Sequence, residues 1–115
     1  MTLLAHNAAD TTALRAALIE KEEHIEQAAR ALKAMSHPLR LKILCILGNQ
    51  EVSVQDIVEC VGTSQSNISQ HLAILREKGV LRTRKEANRV YYRVGDERTL
   101  TLISMMREVF CGISE

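Results

Sequence analysis

The stretch that decides the fold spans residues 62–81 and reads Gly-Thr-Ser-Gln-Ser-Asn-Ile-Ser-Gln-His-Leu-Ala-Ile-Leu-Arg-Glu-Lys-Gly-Val-Leu. At about 100° per residue, Ile68, Leu72 and Leu75 share one face of a predicted helix. The opposite face carries small or polar side chains: Ser66, Ser69, Gln70 and Ala73. Small hydroxyl and amide groups allow a helix to enter a DNA major groove and to bond base edges and phosphates. Taken alone, the stretch fits a DNA recognition helix or an ordinary surface helix that happens to expose serine and glutamine.

A basic β-hairpin is predicted directly after Gly79, which can supply a left-handed helix cap. Residues 80–94 alternate β-branched and aromatic side chains with polar ones around a break at residues 86–88, the pattern of two strands joined by a turn. A single acid, Glu86, accompanies the cations of this hairpin, which are Arg82, Arg84, Lys85, Arg89 and Arg93. A recognition helix followed at once by a basic hairpin predicts a winged helix-turn-helix, whose wing contacts the DNA backbone. A solvated charged ribbon would explain the charges but not their position beside such a helix.

Length and composition fit one small domain, because 115 residues of which 46% are hydrophobic can bury a modest core. The formal net charge of +1 means that positive charge for DNA binding must be local, and the hairpin supplies it. No run of about 18 apolar residues occurs, so no membrane association is expected. The N-terminus lacks the pattern of a secretory signal, and the three widely spaced cysteines do not resemble a secreted disulfide framework. We therefore expect a cytoplasmic protein with reduced thiols and no cofactor.

The predicted fold is mostly α with a small β-hairpin wing, about five helices plus two strands in a winged helix-turn-helix. Residues 1–9 are expected to be a flexible N-terminus and residues 10–115 a single domain. Within that domain, residues 53–79 form the predicted helix-turn-helix and residues 80–94 the wing.

The first predicted helix, residues 10–35, is rich in Ala, Leu, Glu and Lys, which favour helices. Its apolar residues follow alternating three- and four-residue steps, interrupted at Lys21: Leu14, Leu18, Ile25, Ala28, Leu32 and Met35. Such a stripe is close to a heptad seam. Pairing with a second subunit is its natural use, and packing within one subunit is the alternative.

The next two helices have local start signals. Pro38 suits the first turn of a helix that runs to Leu47 and is apolar on nearly every side, so we expect it to be central and buried. His37, which precedes it, is expected to cap that helix. Ser53 is the predicted N-cap of a short amphipathic helix over residues 53–60.

Three segments resemble the ArsR/SmtB family of bacterial repressors: Ala-Met-Ser-His-Pro-Leu-Arg-Leu-Lys-Ile-Leu at residues 34–44, Ser-Gln-Ser-Asn-Ile-Ser-Gln-His-Leu-Ala-Ile-Leu-Arg at residues 64–76, and Arg-Val-Tyr-Tyr at residues 89–92. The resemblance covers residues 25–112 and implies a homodimer with dimerisation helices at residues 10–35 and 96–113. It also implies a partner, palindromic double-stranded operator DNA, which the protein leaves when it senses an inducer.

The predicted DNA-binding residues lie on the recognition helix and on the wing: Ser64, Gln65, Ser66, Ser69, Gln70, His71, Arg84, Lys85 and Arg89. For His71, packing within the protein is the alternative to a phosphate contact.

Many members of this family sense metal ions, so the positions of their ligands matter. A Cys-x-Cys pair near residues 53–60 would be expected for thiophilic metals, but this chain has only Cys60 there. An Asp-x-His plus a His-x-x-Glu or His-x-x-His set on the last helix would be expected for zinc, but no histidine follows His71, although Asp96 is present. A closed zinc site needs about four ligands, and no such set is visible, so no metal site is predicted.

Two cysteines lie in contexts that resemble the dithiol, persulfide- and sulfide-responsive branch of the family: Cys45 in Ile-Leu-Cys-Ile-Leu and Cys111 in Glu-Val-Phe-Cys. The resemblance implies that this pair reacts with sulfane sulfur or polysulfide, becomes joined by a sulfur bridge and thereby releases the DNA. A direct disulfide needs Cα atoms about 4.4–6.8 Å apart, whereas inserted sulfur atoms span a longer gap. Arg107 favours a Cys111 thiolate, and the helix C-terminus disfavours it. The alternative for Cys45 is an ordinary core residue, and Cys60 is expected to be structural or incidental.

Other functions remain open at this point. The same fold can respond to peroxide, another oxidant or a metal ion. A thiol enzyme that uses Cys45 and Cys111 belongs to a different class, but no Cys-x-x-Cys pair, glycine-rich phosphate loop or Ser-His-Asp set supports it, so no enzymatic activity is expected. An architectural module that responds to no signal is a third class. A steep fall of affinity with salt separates the DNA-binding functions from the others.

Overall fold

The structure, a computed structural model, describes residues 8–112, so most of the expected flexible N-terminus lies outside the described residues. Its elements in chain order are α1 (Ala8–Glu20), α2 (Glu22–Met35), α3 (Pro38–Leu47), β1 (Val52–Ser53), α4 (Val54–Val61), α5 (Gln65–Glu77), β2 (Leu81–Glu86), β3 (Arg89–Val94) and α6 (Glu97–Met106), followed by a π-helical turn (Arg107–Cys111). The prediction of a mostly helical winged helix-turn-helix is confirmed. Within the described residues the count is six α-helices and three strands, where the sequence predicted about five helices and two strands.

The chain divides into two compact units between Arg30 and Ala31. In the first unit the long helix predicted over residues 10–35 is interrupted at Lys21, whose N–H donates to the carbonyls of Ala17 and Leu18. Glu22 and Glu23 follow at once and favour a new helix N-terminus there. Residues 11–30 are exposed throughout, and their large apolar side chains are Leu14, Leu18, Ile19 and Ile25.

The second unit has one hydrophobic core, to which α3, α4, α5, β2 and α6 contribute. The predicted inner face of the recognition helix is confirmed, since Ile68, Leu72 and Leu75 on α5 are fully buried. The other fully buried apolar side chains are Ile43, Leu44, Leu47, Ile57, Val80, Leu81 and Ile103. The burial of α5 along one side fixes which of its residues remain on the surface.

Local caps define the starts of α3, α4 and α5. His37 Nδ1 accepts from the Leu39 N–H at 3.1 Å, and Pro38 occupies the first turn, so the predicted cap is confirmed. Ser53 Oγ accepts from the Asp56 N–H, and Ser64 Oγ accepts from the Asn67 N–H, each at 3.2 Å. These caps set where the two helices of the helix-turn-helix begin.

The predicted hairpin is confirmed, but it belongs to a three-stranded antiparallel sheet of order β1-β3-β2. The additional strand, β1, pairs through Val52 with Tyr92 and through Ser53 with Tyr91. A strand of two residues is too short to show an alternating pattern, so no local pattern predicts it. Because Ser53 also caps α4, the sheet attaches the wing to the first helix of the helix-turn-helix.

The last helix is expected at residues 96–113 from the family resemblance. The structure has an Asp96 cap at its start, where Oδ1 accepts from the Arg98 N–H, but changes to a π-helical turn after Met106. A π turn holds an extra residue per hydrogen-bonded turn, and such turns often occur at functional sites. It therefore changes the direction in which Cys111 projects relative to an unbroken α-helix.

Candidate DNA-binding surface and dithiol site

The outer face of α5 is polar and accessible. Seven of its residues are exposed, and five of them form the row predicted from the helical period: Gln65, Ser66, Ser69, Gln70 and Ala73. The other two, Arg76 and Glu77, lie in the last turn of the helix. Ser64, the cap residue, is also exposed, and its hydroxyl oxygen already accepts one backbone N–H. No bulky side chain interrupts this row, so the geometry suits insertion of the helix into a major groove.

His71 lies apart from that polar row. Its side chain is partly buried, and its ring centroid lies 4.5 Å from that of His37, with the ring planes tilted by 39°. Its Nδ1 is buried and has no hydrogen-bond partner among the described residues. Burial lowers the pKa of His71, and the charges of His37 and Arg40 lower it further. This position favours packing between α5 and the start of α3.

The lowered pKa of His71 predicts a pH-dependent stability. The folded protein favours the neutral imidazole, whereas the unfolded chain takes up a proton near its ordinary pKa of about 6.5. The contribution of His71 to the free energy of unfolding is therefore fully present above about pH 6.5, the ordinary pKa. It decreases as the pH falls through that value and becomes constant below the folded-state pKa. Urea unfolding at pH 7.5 and at pH 5.5 measures how much the free energy of unfolding decreases between the two. We expect this decrease to be smaller in the His71→Gln variant. The matched control His24→Gln, at an exposed position, is expected to retain the full loss, and an equal loss in His71→Gln would contradict the prediction.

The wing presents cations of two kinds. Lys85 and Arg89 are exposed, and no salt bridge involves either of them within residues 8–112. Arg84 is different, because its guanidinium donates to both Glu51 and Glu86 and lies over the ring of Tyr91. Sequence reasoning did not find Glu51, which lies far from Arg84 along the chain and carries no local signal of this contact.

The structure brings together the thiols of Cys45 and Cys111. Cys45 is half-buried on α3, which packs against α6, and its thiol lies close enough to that of Cys111, at the exposed end of the π turn, for the two to interact electrostatically. Both cysteines are free thiols, as is the exposed Cys60 on α4. Two cysteines from distant parts of the sequence are thus neighbours, and one of them is open to solvent.

The two thiols have different environments. Burial raises the pKa of Cys45, the Cys111 thiol raises it further, and the positive charge of Arg107 opposes both effects. At neutral pH Cys45 is therefore held as the thiol, which is the weaker nucleophile. The sequence had associated Arg107 with Cys111 alone, because the packing of α6 against α3 is not visible in a local pattern.

A metal site and a membrane span have no support in the part of the chain that the structure describes. No group of three or more histidine, cysteine, aspartate or glutamate side chains lies close enough to hold an ion there. None of the helices within those residues is both long and apolar enough to cross a bilayer.

An apolar surface covers one side of α6 in the second unit. Its large exposed side chains include Met105, which is 55% exposed, and Phe110, which is 82% exposed. They line a groove of about 410 Å³, to which Leu32, Met35, Leu102 and Val109 also contribute. Monomeric soluble proteins rarely expose contiguous apolar surface of large extent.

The chain has a capped helix-turn-helix with an accessible polar recognition helix, followed by a basic wing formed by β2 and β3. These features define its class, the winged helix-turn-helix DNA-binding regulators. Residues 37–83 match the family described as bacterial regulatory protein, arsR family. The chain belongs to the ArsR family and is a transcriptional regulator.

Named relatives agree with that assignment. The HTH-type transcriptional regulator YgaV of Escherichia coli (strain K12) is 39% identical over 95 residues, which cover 82% of this chain and 96% of the relative. The structure of HlyU from Vibrio cholerae N16961 has a TM-score of 0.75 and 39% identity, and covers 78% of this chain and 98% of its own. The transcriptional repressor BigR from Xylella fastidiosa has a TM-score of 0.71 and 33% identity, and covers 80% of this chain and 94% of its own. By name, YgaV is a transcriptional regulator, BigR a transcriptional repressor and HlyU of Vibrio cholerae a transcriptional activator.

Proposed function

We propose that this regulator is a repressor that binds operator DNA as a homodimer and dissociates when Cys45 and Cys111 become joined through sulfane sulfur. The observation that carries the proposal is the proximity of these two thiols, one half-buried and one exposed, where α6 packs against α3. An ordinary core cysteine needs no second thiol beside it, and a surface cysteine needs no buried neighbour. A cytoplasmic location, where thiols are kept reduced, accords with this function.

The exposed polar face of α5 and the wing supply the proposed DNA contacts. Ser64, Gln65, Ser66, Ser69 and Gln70 are proposed to read the groove, because their short polar side chains are accessible on one face. Lys85 and Arg89 are proposed to contact phosphates, because their charges are exposed and form no salt bridge within the described residues.

A homodimer is supported by apolar surface that a monomer would leave in water. Exposed leucine, isoleucine, methionine and phenylalanine side chains occur on α1 and α2 and, in the second unit, on α6 and the π turn. Covering such surface with a second copy contributes roughly 25 cal/mol for each Å² removed from water. Two recognition helices can then enter successive major grooves about 34 Å apart.

The proposed sulfur chemistry balances with an organic trisulfide, RS–S–SR, as reactant. The exposed Cys111 attacks as the thiolate at the central sulfur and displaces RS⁻. Cys45 then loses its proton, attacks the same sulfur and displaces the second RS⁻. Two thiols and one trisulfide give a bridge with one inserted sulfur atom and two RSH. The bridge ties α3, which contacts the recognition helix α5, to the end of the last helix. A change in the spacing of the two recognition helices follows and weakens operator binding.

Intact-mass spectrometry paired with a gel shift tests this function. Reduced protein is treated with an organic trisulfide or with hydrogen peroxide, and mass and DNA binding are read from the same sample. We expect DNA release to accompany a gain of one sulfur atom and a loss of two hydrogens. If peroxide released the DNA with a loss of two hydrogens only, and the trisulfide released no DNA, the inducer would be an oxidant and not sulfane sulfur. Release without any change in mass would end the dithiol proposal.

A further inference from the structure

The wing contains an arginine whose hydrogen-bonding groups are already engaged within the protein. Arg84 Nε lies 3.0 and 3.1 Å from the two carboxylate oxygens of Glu51, and Nη2 lies 2.7 Å from Glu51 Oε1. Its Nη1 lies 2.7 Å from Glu86 Oε2. Its Cζ lies 4.7 Å from the ring centroid of Tyr91, the residue opposite it on β3. All three guanidinium nitrogens therefore donate to carboxylate oxygens, and the Tyr91 ring covers one face of the guanidinium plane.

The electrostatics of this cluster do not suit a phosphate contact. Two carboxylates surround the Arg84 guanidinium, and the positive charge of Arg93 also acts on Glu51, so the cluster offers no net positive charge to a phosphate. The hydrogen bonds from Arg84 lower the pKa of Glu51, which keeps that carboxylate charged. A phosphate at Arg84 would have to displace a forked ion pair and approach two acids. Lys85 and Arg89 impose no such cost, since within the described residues neither forms a salt bridge.

The position of Glu51 gives the cluster a structural consequence. Glu51 directly precedes β1, and Ser53 of β1 caps α4, the first helix of the helix-turn-helix. The ion pair with Arg84 therefore links the wing to the start of the helix-turn-helix across 33 residues of sequence. The bond to Glu86, two residues from Arg84 on the same strand, makes no such link.

We propose that Arg84 is a positioning residue that, through Glu51, holds the wing at the angle at which Lys85 and Arg89 reach the DNA phosphates. Arg84 itself makes no phosphate contact. This role concerns DNA binding by the reduced protein and is independent of the thiol trigger.

The salt dependence of binding distinguishes positioning from phosphate contact. The probe is a duplex selected from random-sequence DNA by the wild-type protein, and the affinity is measured by fluorescence anisotropy over a range of salt concentrations. Each lost phosphate contact reduces the slope of log affinity against log salt by about 0.9. We expect that reduction in Lys85→Ala and Arg89→Ala. In Arg84→Ala the wing still makes both phosphate contacts once bound but must first be ordered, so we expect weaker binding with the wild-type slope. A slope reduced by about 0.9 or more would overturn the proposal.

A charge-neutralising pair gives an independent test by the sign of its effect. Removal of an acid near DNA strengthens binding if only electrostatics matters, because phosphate repulsion decreases. Glu51→Gln is instead expected to weaken binding up to about fivefold, the scale of one exposed ion pair. The matched control Glu86→Gln removes the same charge without the link, and we expect unchanged or tighter binding. Binding by Glu51→Gln as tight as wild type or tighter would overturn the proposal. Since the pair is exposed, both variants are expected to keep the wild-type melting temperature.

Discussion

The Cys111→Ser variant is expected to keep its DNA when treated with an organic trisulfide, whereas the wild-type protein dissociates. Without the exposed nucleophile the first attack on the central sulfur cannot occur, and the half-buried Cys45 is held as the thiol by its raised pKa. The affinity of the untreated variant should remain within about twofold of wild type, because serine replaces a nearly isosteric exposed side chain. Anisotropy with the selected duplex, before and after treatment, measures both quantities.

Cys45→Ser separates the bridge from a simple adduct. In this variant Cys111 can still displace one RS⁻ and carry the remaining –S–SR group, but no second thiol completes the bridge. We expect a mass gain that dithiothreitol reverses, with the DNA still bound. Cys60→Ser is the matched control, because it removes an exposed thiol outside the pair and should release DNA as the wild type does. Release that persists in both Cys45→Ser and Cys111→Ser would refute the role of the pair.

Short-range patterns predicted the recognition surface well. The 3.6-residue period separated buried Ile68, Leu72 and Leu75 from an exposed polar row, and the serine cap at residue 53 follows from a single side chain that accepts a nearby N–H. The alternation of the hairpin likewise predicted β2 and β3, because each strand is long enough to show it. These features depend on neighbours in sequence, which a local pattern records.

The features that the sequence did not predict depend on contacts between distant segments. β1 forms because Val52 and Ser53 pair with β3 along the edge that β2 leaves unpaired. The ion pair of Arg84 on β2 requires Glu51, which directly precedes β1 on the opposite edge of the sheet. The π turn changes the helical register only after α6, at Arg107–Cys111, and no residue type in that segment predicts the change. For the thiols, the family resemblance suggested a pair, but the contact itself required the packing of α3 against α6. Electrostatic roles of single arginines are therefore the least predictable part of the site.

Met105→Glu is expected to convert the proposed homodimer into a monomer and to weaken DNA binding by at least about a hundredfold. A carboxylate at the centre of an apolar interface would lose its hydration without gaining a partner, which costs several kcal/mol. Two linked recognition helices also gain about 10²–10⁴ in avidity over one, and the monomer forfeits that gain. Met105 is 55% exposed in the single chain, so the glutamate should not disturb the fold of the subunit.

Sedimentation velocity and DNA anisotropy on the same preparation measure the two effects of this substitution, and the melting temperature confirms that the subunit is folded. Met105→Leu is the matched control, since it keeps an apolar side chain at the same position and should remain dimeric with wild-type affinity. If Met105→Glu sedimented as a dimer and bound DNA like the wild type, the apolar surface of α6 would not be the interface. A folded monomer that retained full affinity would instead show that one recognition helix and one wing suffice. Only coincident loss of the dimer and of the affinity supports the view that the exposed apolar side chains of α6 set the spacing of the two DNA-reading helices.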